Sequence, residues 1–162
     1  MSTSTAHETQ IVADPDVPMV RITREFDATP AQVYRAHTDP ELVRQWNGPR
    51  GYEMRVESWD CRTGGSYRYV HIGGDGEEYA FRGCFHELRP NELIVQTFTW
   101  EGMPDGVALE KLALEELPGG RCRLTATSLV DSFEGRDAFV ASGMEVGVTE
   151  GYERLDEVLA AS

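Results

Sequence analysis

Met144, Val148, Tyr152, Leu155 and Leu159 follow one another at steps of three or four, so at 3.6 residues per turn they share one face. Glu150, Glu153, Arg154 and Glu157 fall on the opposite side, and the pattern predicts an amphipathic helix over residues 143–162. Val140, Ala141 and Val158 widen the apolar face if the helix begins early. Gly143, Gly147 and Gly151 repeat every fourth residue along its flank, each costing roughly 1 kcal/mol relative to Ala inside a helix. Close backbone approach to a sheet would offset that cost, and so would small residues that leave a cavity beside the helix.

Upstream the period changes from helical to two. Val20, Ile22 and Phe26 alternate with Arg21, Thr23, Glu25 and Asp27, which predicts a strand with one wet face; Arg24 breaks the alternation. Thr29 then offers an N-cap with Pro30 behind it, and Val33, Tyr34 and His37 give a short helix an apolar side. Asp39 and Pro40 repeat the device before Leu42, Val43 and Trp46, and Asn47-Gly48-Pro49 ends the pair. Five more stretches read as strands after Tyr52, Met54 and Val56 begin the second: residues 67–72, 79–88, 93–100, 107–117 and 121–130. Turn clusters such as Gly73-Gly74-Asp75-Gly76 and Pro118-Gly119-Gly120 separate them, and connections this short favour an antiparallel meander. Parity places Phe81 and Phe85 inward with Arg82 and His86 outward, and Tyr67, Tyr69 and His71 inward. The predicted class is α+β: a curved seven-stranded antiparallel sheet wrapped around the long C-terminal helix, which alone is long enough to cover its apolar face.

This order resembles the activator-of-heat-shock-protein-ATPase homologue family, within the START-like (SRPBCC, helix-grip) superfamily. The resemblance covers about residues 19–160. It is carried by Phe26-Asp27-Ala28-Thr29-Pro30 with Val33, Thr38-Asp39-Pro40-Glu41 with Trp46, Asp60-Cys61-Arg62-Thr63-Gly64-Gly65, Phe81-Arg82-Gly83-Cys84-Phe85 with Pro90 and Leu93, and Gly151-Tyr152-Glu153-Arg154-Leu155, where Tyr stands in place of the commoner Trp. The resemblance implies a deep cavity between sheet and helix, used by relatives for lipids, sterols, polyketides or hormones and in some members for reactions on them. Co-chaperone members carry this domain beside a second one that also engages the chaperone; with only about 18 residues before the domain, stimulation of a chaperone ATPase is not expected here.

Charge narrows the partners. The net charge is -13, from 28 acidic and 15 basic residues, which disfavours nucleic acid and anionic membrane surfaces. Cys61, Cys84 and Cys122 are odd in number and widely spaced, as expected of free buried thiols in a reducing compartment. Residues 1–18 are polar and Pro-containing and lack the apolar run of a signal peptide, so they are expected to form a disordered tail before a domain at 19–162, in a cytoplasmic protein. His7, His37, His71 and His86 show no metal-ligand spacing, and neither a metal nor another cofactor is expected.

The candidate ligand wall is Trp46, Tyr67, Tyr69, His71, Phe81, Phe85, Phe98 and Trp100 from the first helix pair and the sheet, with Met144, Val148 and Tyr152 from the last helix. Aromatic strand residues are by default core, and the two readings coincide if the core is hollow. Glu110, Arg82 and His71 could act as acid, base or anchor inside a dry cavity, but charged groups are seldom buried, and the outer solvated face is the expectation for them. Asp60 and Arg62 are expected to form an ion pair beside a bend at Gly64-Gly65. The preferred reading is a monomeric or homodimeric module that binds a small hydrophobic or aromatic molecule; the alternatives are an enzyme (cyclase, hydratase or hydrolase) acting on that molecule and a module modulating a chaperone ATPase.

Overall fold

The computed structural model describes residues 7–162. Strands β1 (Gln10–Ala13) and β2 (Met19–Phe26) come first, followed by helices α1 (Pro30–Thr38) and α2 (Pro40–Trp46). Strands β3 (Glu53–Trp59), β4 (Ser66–Ile72), β5 (Glu78–Arg89), β6 (Leu93–Trp100), β7 (Ala108–Leu117) and β8 (Arg121–Leu129) form the meander. Helix α3 (Phe133–Phe139), a π-helical turn over Val140–Met144 and helix α4 (Glu145–Ala160) complete the chain. The sheet has eight strands in the order β1-β2-β8-β7-β6-β5-β4-β3, with every neighbouring pair antiparallel.

The eighth strand is β1, within the stretch expected to be an unstructured tail. It pairs with β2 from Gln10↔Thr23 to Ala13↔Val20, and Ile11 packs against the core. Asp14 closes the turn by accepting from the backbone N–H groups of Asp16 and Val17 at 2.8 and 3.1 Å. A single packed apolar residue in a polar run leaves almost no periodic signal, which is why the composition pointed elsewhere. The tail expectation for residues 1–6 falls outside the described residues.

The two short helices follow from their caps. Thr29 and Gln32 form a reciprocal capping box at the start of α1, and Asp39 accepts from the Glu41 N–H at 3.0 Å at the start of α2. Trp46 donates its indole N–H to the Ala36 carbonyl at 2.9 Å and so ties α2 back onto α1.

The terminal helical region is longer and less regular than its periodicity predicted. Ser132 caps α3 by accepting from the Gly135 N–H at 2.9 Å. Gly143, at φ 90°, then bends the chain between α3 and α4, a conformation that favours glycine. The other two glycines of the stripe serve packing against α2 and the loop that follows it, not against the sheet. At Gly151 an added Cβ would lie 3.3 Å from the Trp46 carbonyl oxygen and 3.5 Å from the Gly48 nitrogen, and at Gly147 it would meet Pro49 Cδ at 3.6 Å.

The core divides in two. One cluster joins β2, β8, α1, α2 and α4 through Val20, Phe26, Val33, Leu124, Tyr152 and Leu155; the other is aromatic and lies on β3, β4 and β5 around Met54, Tyr67, Tyr69 and Phe85. Phe26, Leu124 and Leu155 are completely buried, each contributing on the order of 2–3 kcal/mol from the apolar surface it hides.

Candidate functional site

The pairing registers define the concave face. From Gln96↔Glu110 and Glu110↔Ser128, three polar side chains on β6, β7 and β8 form one row across the sheet. They point to the same side as Ile94, Leu112, Leu124, Phe26 and Val20, the side that α4 covers. Ser128 Oγ donates to Glu110 Oε2 at 2.6 Å, and Gln96 Nε2 donates to Glu110 Oε1 at 3.3 Å. Gln96 Nε2 also reaches the Tyr67 hydroxyl at 3.3 Å, and that hydroxyl donates to the Thr97 carbonyl at 2.7 Å. Burial holds the Glu110 carboxyl above its ordinary pKa, and the donors Ser128 and Gln96 only partly oppose this.

Gln96, Phe98, Glu110, Leu112 and Ala126 face α4, yet all are only partly covered, as are Met144 and Val148 above them. Glu110 as a residue is half-buried, while its carboxyl is desolvated. Among the described residues, the fully enclosed side-chain nitrogen or oxygen atoms without a partner are Arg24 Nε and His37 Nε2. Among the described residues the hydroxyls of Tyr69 and Tyr152 have no hydrogen-bond partner, although each residue is only 7% exposed. Burial raises the pKa of both, and the nearby charge of Glu110 adds to it.

The position along α4 follows from its other end. Asp156 accepts two hydrogen bonds from Arg24, at 2.9 and 2.6 Å, fixing the C-terminal half of the helix over the Phe26 end of β2. The N-terminal half, with Met144 and Val148, therefore extends toward the row of Val20, Ser128 and Glu110. Arg24, the residue that broke the alternation of its strand, is turned inward; its two terminal nitrogens are held by Asp156 and the Glu25 carbonyl, and its enclosed Nε has no partner among the described residues.

Among the candidate wall residues, Tyr67, Tyr69, Phe81, Phe85 and Phe98 come together in the aromatic half: Phe81 stacks on Phe98 with centroids 5.3 Å apart, and Tyr69 lies 5.4 Å from Phe81. His71 continues this wall, 5.2 Å from both Tyr69 and Phe81, with its Nε2 donating to Asn47 Oδ1 at 3.1 Å. Desolvation, with a smaller effect of Arg154, lowers the His71 pKa to about 4, so the ring is neutral. Tyr152 belongs to the other cluster, 5.5 Å from Phe26 and 6.1 Å from Trp46. Trp46 is seated in the junction of α1, α2 and α4 rather than on the aromatic wall. Trp100 is 41% exposed and folds over Gly102, where an added Cβ would lie 2.3 Å from its indole, so it stands apart from the others.

Several expectations change. Glu110 faces inward, not solvent, and cross-strand donors make its burial tolerable, whereas His71 faces inward as strand parity placed it. Arg82 does face outward, beside Arg68 and Glu101. Cys84 is exposed, because it lies between the inward Gly83 and Phe85 positions on the opposite parity, whereas Cys61 and Cys122 are covered and burial lifts both thiols to about 11. Arg62 and Asp60 pair at 2.9 Å as expected. Gln96 and Ser128 were not among the candidates; their signal was a polar residue at inward parity between apolar neighbours, repeated on adjacent strands. Two surface hollows of about 420 and 400 Å³ lie elsewhere, one on the convex face around Arg68, Arg82 and Cys84 and one between Pro30, Asn91 and Leu114. Neither is between the sheet and α4. No helix of the described residues is long and apolar enough to cross a membrane.

The family model described as activator of Hsp90 ATPase homolog 1-like protein matches residues 27–160. Similar solved structures include a protein from Rhodobacter sphaeroides, 30% identical, covering 95% of this chain and 99% of its own, with a TM-score of 0.84. One from Arthrobacter aurescens is 26% identical over 94% of this chain and 92% of its own, with a TM-score of 0.86. One from Chromobacterium violaceum is 28% identical over 88% and 96%, with a TM-score of 0.78. No curated protein matches the chain.

Proposed function

The chain belongs to the activator of Hsp90 ATPase homolog 1-like family, whose START-like domain is a ligand-binding fold, and from that premise we propose that it binds a small hydrophobic or aromatic molecule between the sheet and the N-terminal half of α4. The observation that carries this reading is the pair of hydroxyls, on Tyr69 and Tyr152, without a hydrogen-bond partner among the described residues, in a fold where Phe98, Met144 and Val148 are only partly covered. A buried hydroxyl in a filled core finds a partner; two that do not are placed to receive one from a guest. The aromatic residues supply contact area with few rotatable bonds, so little side-chain entropy is lost on binding.

Replacing Val148 with Trp tests the space directly. The indole fills the hollow, so dye binding is weakened while chemical denaturation changes little; in a solid core the same substitution overpacks and costs about 1–3 kcal/mol. Marked destabilisation together with no binding of an environment-sensitive hydrophobic dye by the parent would remove the hollow and this reading with it.

The convergence of Glu110, Ser128, Gln96 and Tyr67 favours acid–base chemistry on the guest as the second reading. Native mass spectrometry of freshly purified protein identifies the guest and separates the two: a carrier holds its mass constant over hours, whereas an enzyme converts it.

A further inference from the structure

Glu110 differs from the other carboxylates that face protein. Arg24 neutralises Asp156, Arg121 and Arg123 neutralise Glu25, and Arg68 neutralises Glu101. Glu110 has no Lys, Arg or His within ion-pair distance among the described residues, and only neutral donors, Ser128 and Gln96, approach it. Arg24, the one buried cation on the same face as Glu110 along β2, is already held by Asp156. The neighbouring Lys111 has the opposite parity on β7 and points away. His71, on the aromatic wall, is engaged with Asn47. A carboxyl lifted out of water without a countercharge is costly, and a cation delivered to it recovers that cost.

The surroundings suit an organic cation. Tyr69, packed with Phe81 and Phe98, and Tyr152 from α4 lie near enough to Glu110 to feel its charge, and aromatic faces attract an ammonium group within about 6 Å of their centroids. The Tyr69 and Tyr152 hydroxyls add acceptors without protein partners. A net charge of -13 raises the local concentration of cations and lowers that of anions.

We propose that the guest is a hydrophobic or aromatic amine, bound with its ammonium on Glu110 and its apolar body against Tyr69, Phe81, Phe98 and Tyr152. This deepens the preceding reading and rests on it, since an amine needs the hollow to exist. Ser128 and Gln96 act as positioning residues that hold the carboxylate plane toward the guest.

The test is a charge series on one fluorophore: dansylcadaverine as the cation, dansylamide as the neutral form and dansylglycine as the anion, titrated by fluorescence at about neutral pH. The expected order is cation, neutral, anion, with the cation bound at least ~10-fold more tightly than the neutral probe, the effect of one well-placed charge pair. Glu110→Gln, which keeps the side-chain shape, is expected to abolish that gap, the cation falling to the affinity of the neutral probe. A buried pair is weakly screened, so in the parent protein the gap holds between 0.05 and 0.5 M salt, values chosen so that the Debye length falls from roughly 14 to 4 Å. Equal affinities in the parent, or a gap that collapses with salt or survives in Glu110→Gln, would overturn the amine assignment and leave the hollow intact. Failure of all three probes to bind is a failure of the cavity reading itself. The salt series needs no variant, so misfolding of Glu110→Gln does not leave the question open.

Discussion

Arg24 and Glu110 project from the same concave face, yet they lie in regions built on opposite terms. Arg24 is 2% exposed, clasped by Asp156 and surrounded by completely buried Phe26, Leu124 and Leu155. Glu110 has no countercharge among the described residues, and Met144 and Val148, toward the start of the last helix, are only partly covered. The C-terminal half of α4 is thus tightly packed, while the N-terminal half, which follows the bend at Gly143, is only partly covered. On the proposed reading the difference separates stability from function: the residues that secure the helix are not those proposed to face a guest.

The largest test of that division compares two truncations on one helix. Leu155→Ala, at 0% exposure, is expected to cost about 3–4 kcal/mol, and Val148→Ala about 1 kcal/mol or less, because the latter empties space that is already accessible. Equal losses in urea denaturation would mean that the two halves of α4 are packed alike.

Next is the clasp. Asp156→Ala strands a buried guanidinium and is expected to cost about 3 kcal/mol, at the low end for a broken buried pair because the Asp156 side chain is 38% exposed. A double change with Arg24→Met recovers much of this loss, since an apolar chain replaces a charge that no longer has a partner. A single variant with parental stability would show that solvent already neutralises Arg24.

The histidines give a smaller effect through pH. His37, beside Trp46 at the closed end, and His71, on the aromatic wall, both have pKa values lowered to about 4 by desolvation, against 6.5 when unfolded. Between these values the unfolded chain binds more protons, so stability rises with pH across the window and is lost as pH falls from 6.5 toward 4. Each contributes up to about 3 kcal/mol over the full window, and less over the upper part that is accessible before carboxylates titrate. His37 Nδ1–H donates to the Val33 carbonyl at 2.8 Å, and its enclosed Nε2 has no partner, so His37→Phe is expected to flatten the pH dependence without a large loss at pH 8. An unchanged slope in that variant would assign the effect to His71 or to the surface carboxylates.

The strands of the meander, the capped helix pair and the inward parity of Tyr67, Tyr69, His71, Phe81 and Phe85 were legible in the sequence because each rests on local alternation or on a cap. Features that depend on a distant partner were not. Ile11 becomes part of the core only because β2 is there to receive β1. Gly151 serves α2, which no spacing within α4 records. Glu110 read as a surface charge because the residues that make its burial tolerable, Gln96 and Ser128, are 14 and 18 positions away on neighbouring strands. Trp100 had inward parity, but it sits at a strand end where the chain turns back over Gly102, and parity no longer governs the side chain there.

The pairing of β2 with β8 also sets a timetable. Their register joins Phe26 to Cys122 and Met19 to Leu129, so the first long strand of the chain waits for nearly the last one. At about 5–20 residues per second of synthesis, a separation of roughly 100 residues leaves β2 on the order of 5–20 s without its partner. Val20, Ile22 and Phe26, which end at or near complete burial, spend that interval uncovered. The hairpins from β3 to β8 form by short-range closure in the meantime, and docking of β2, then of α4 behind it, becomes the late and slow event of folding.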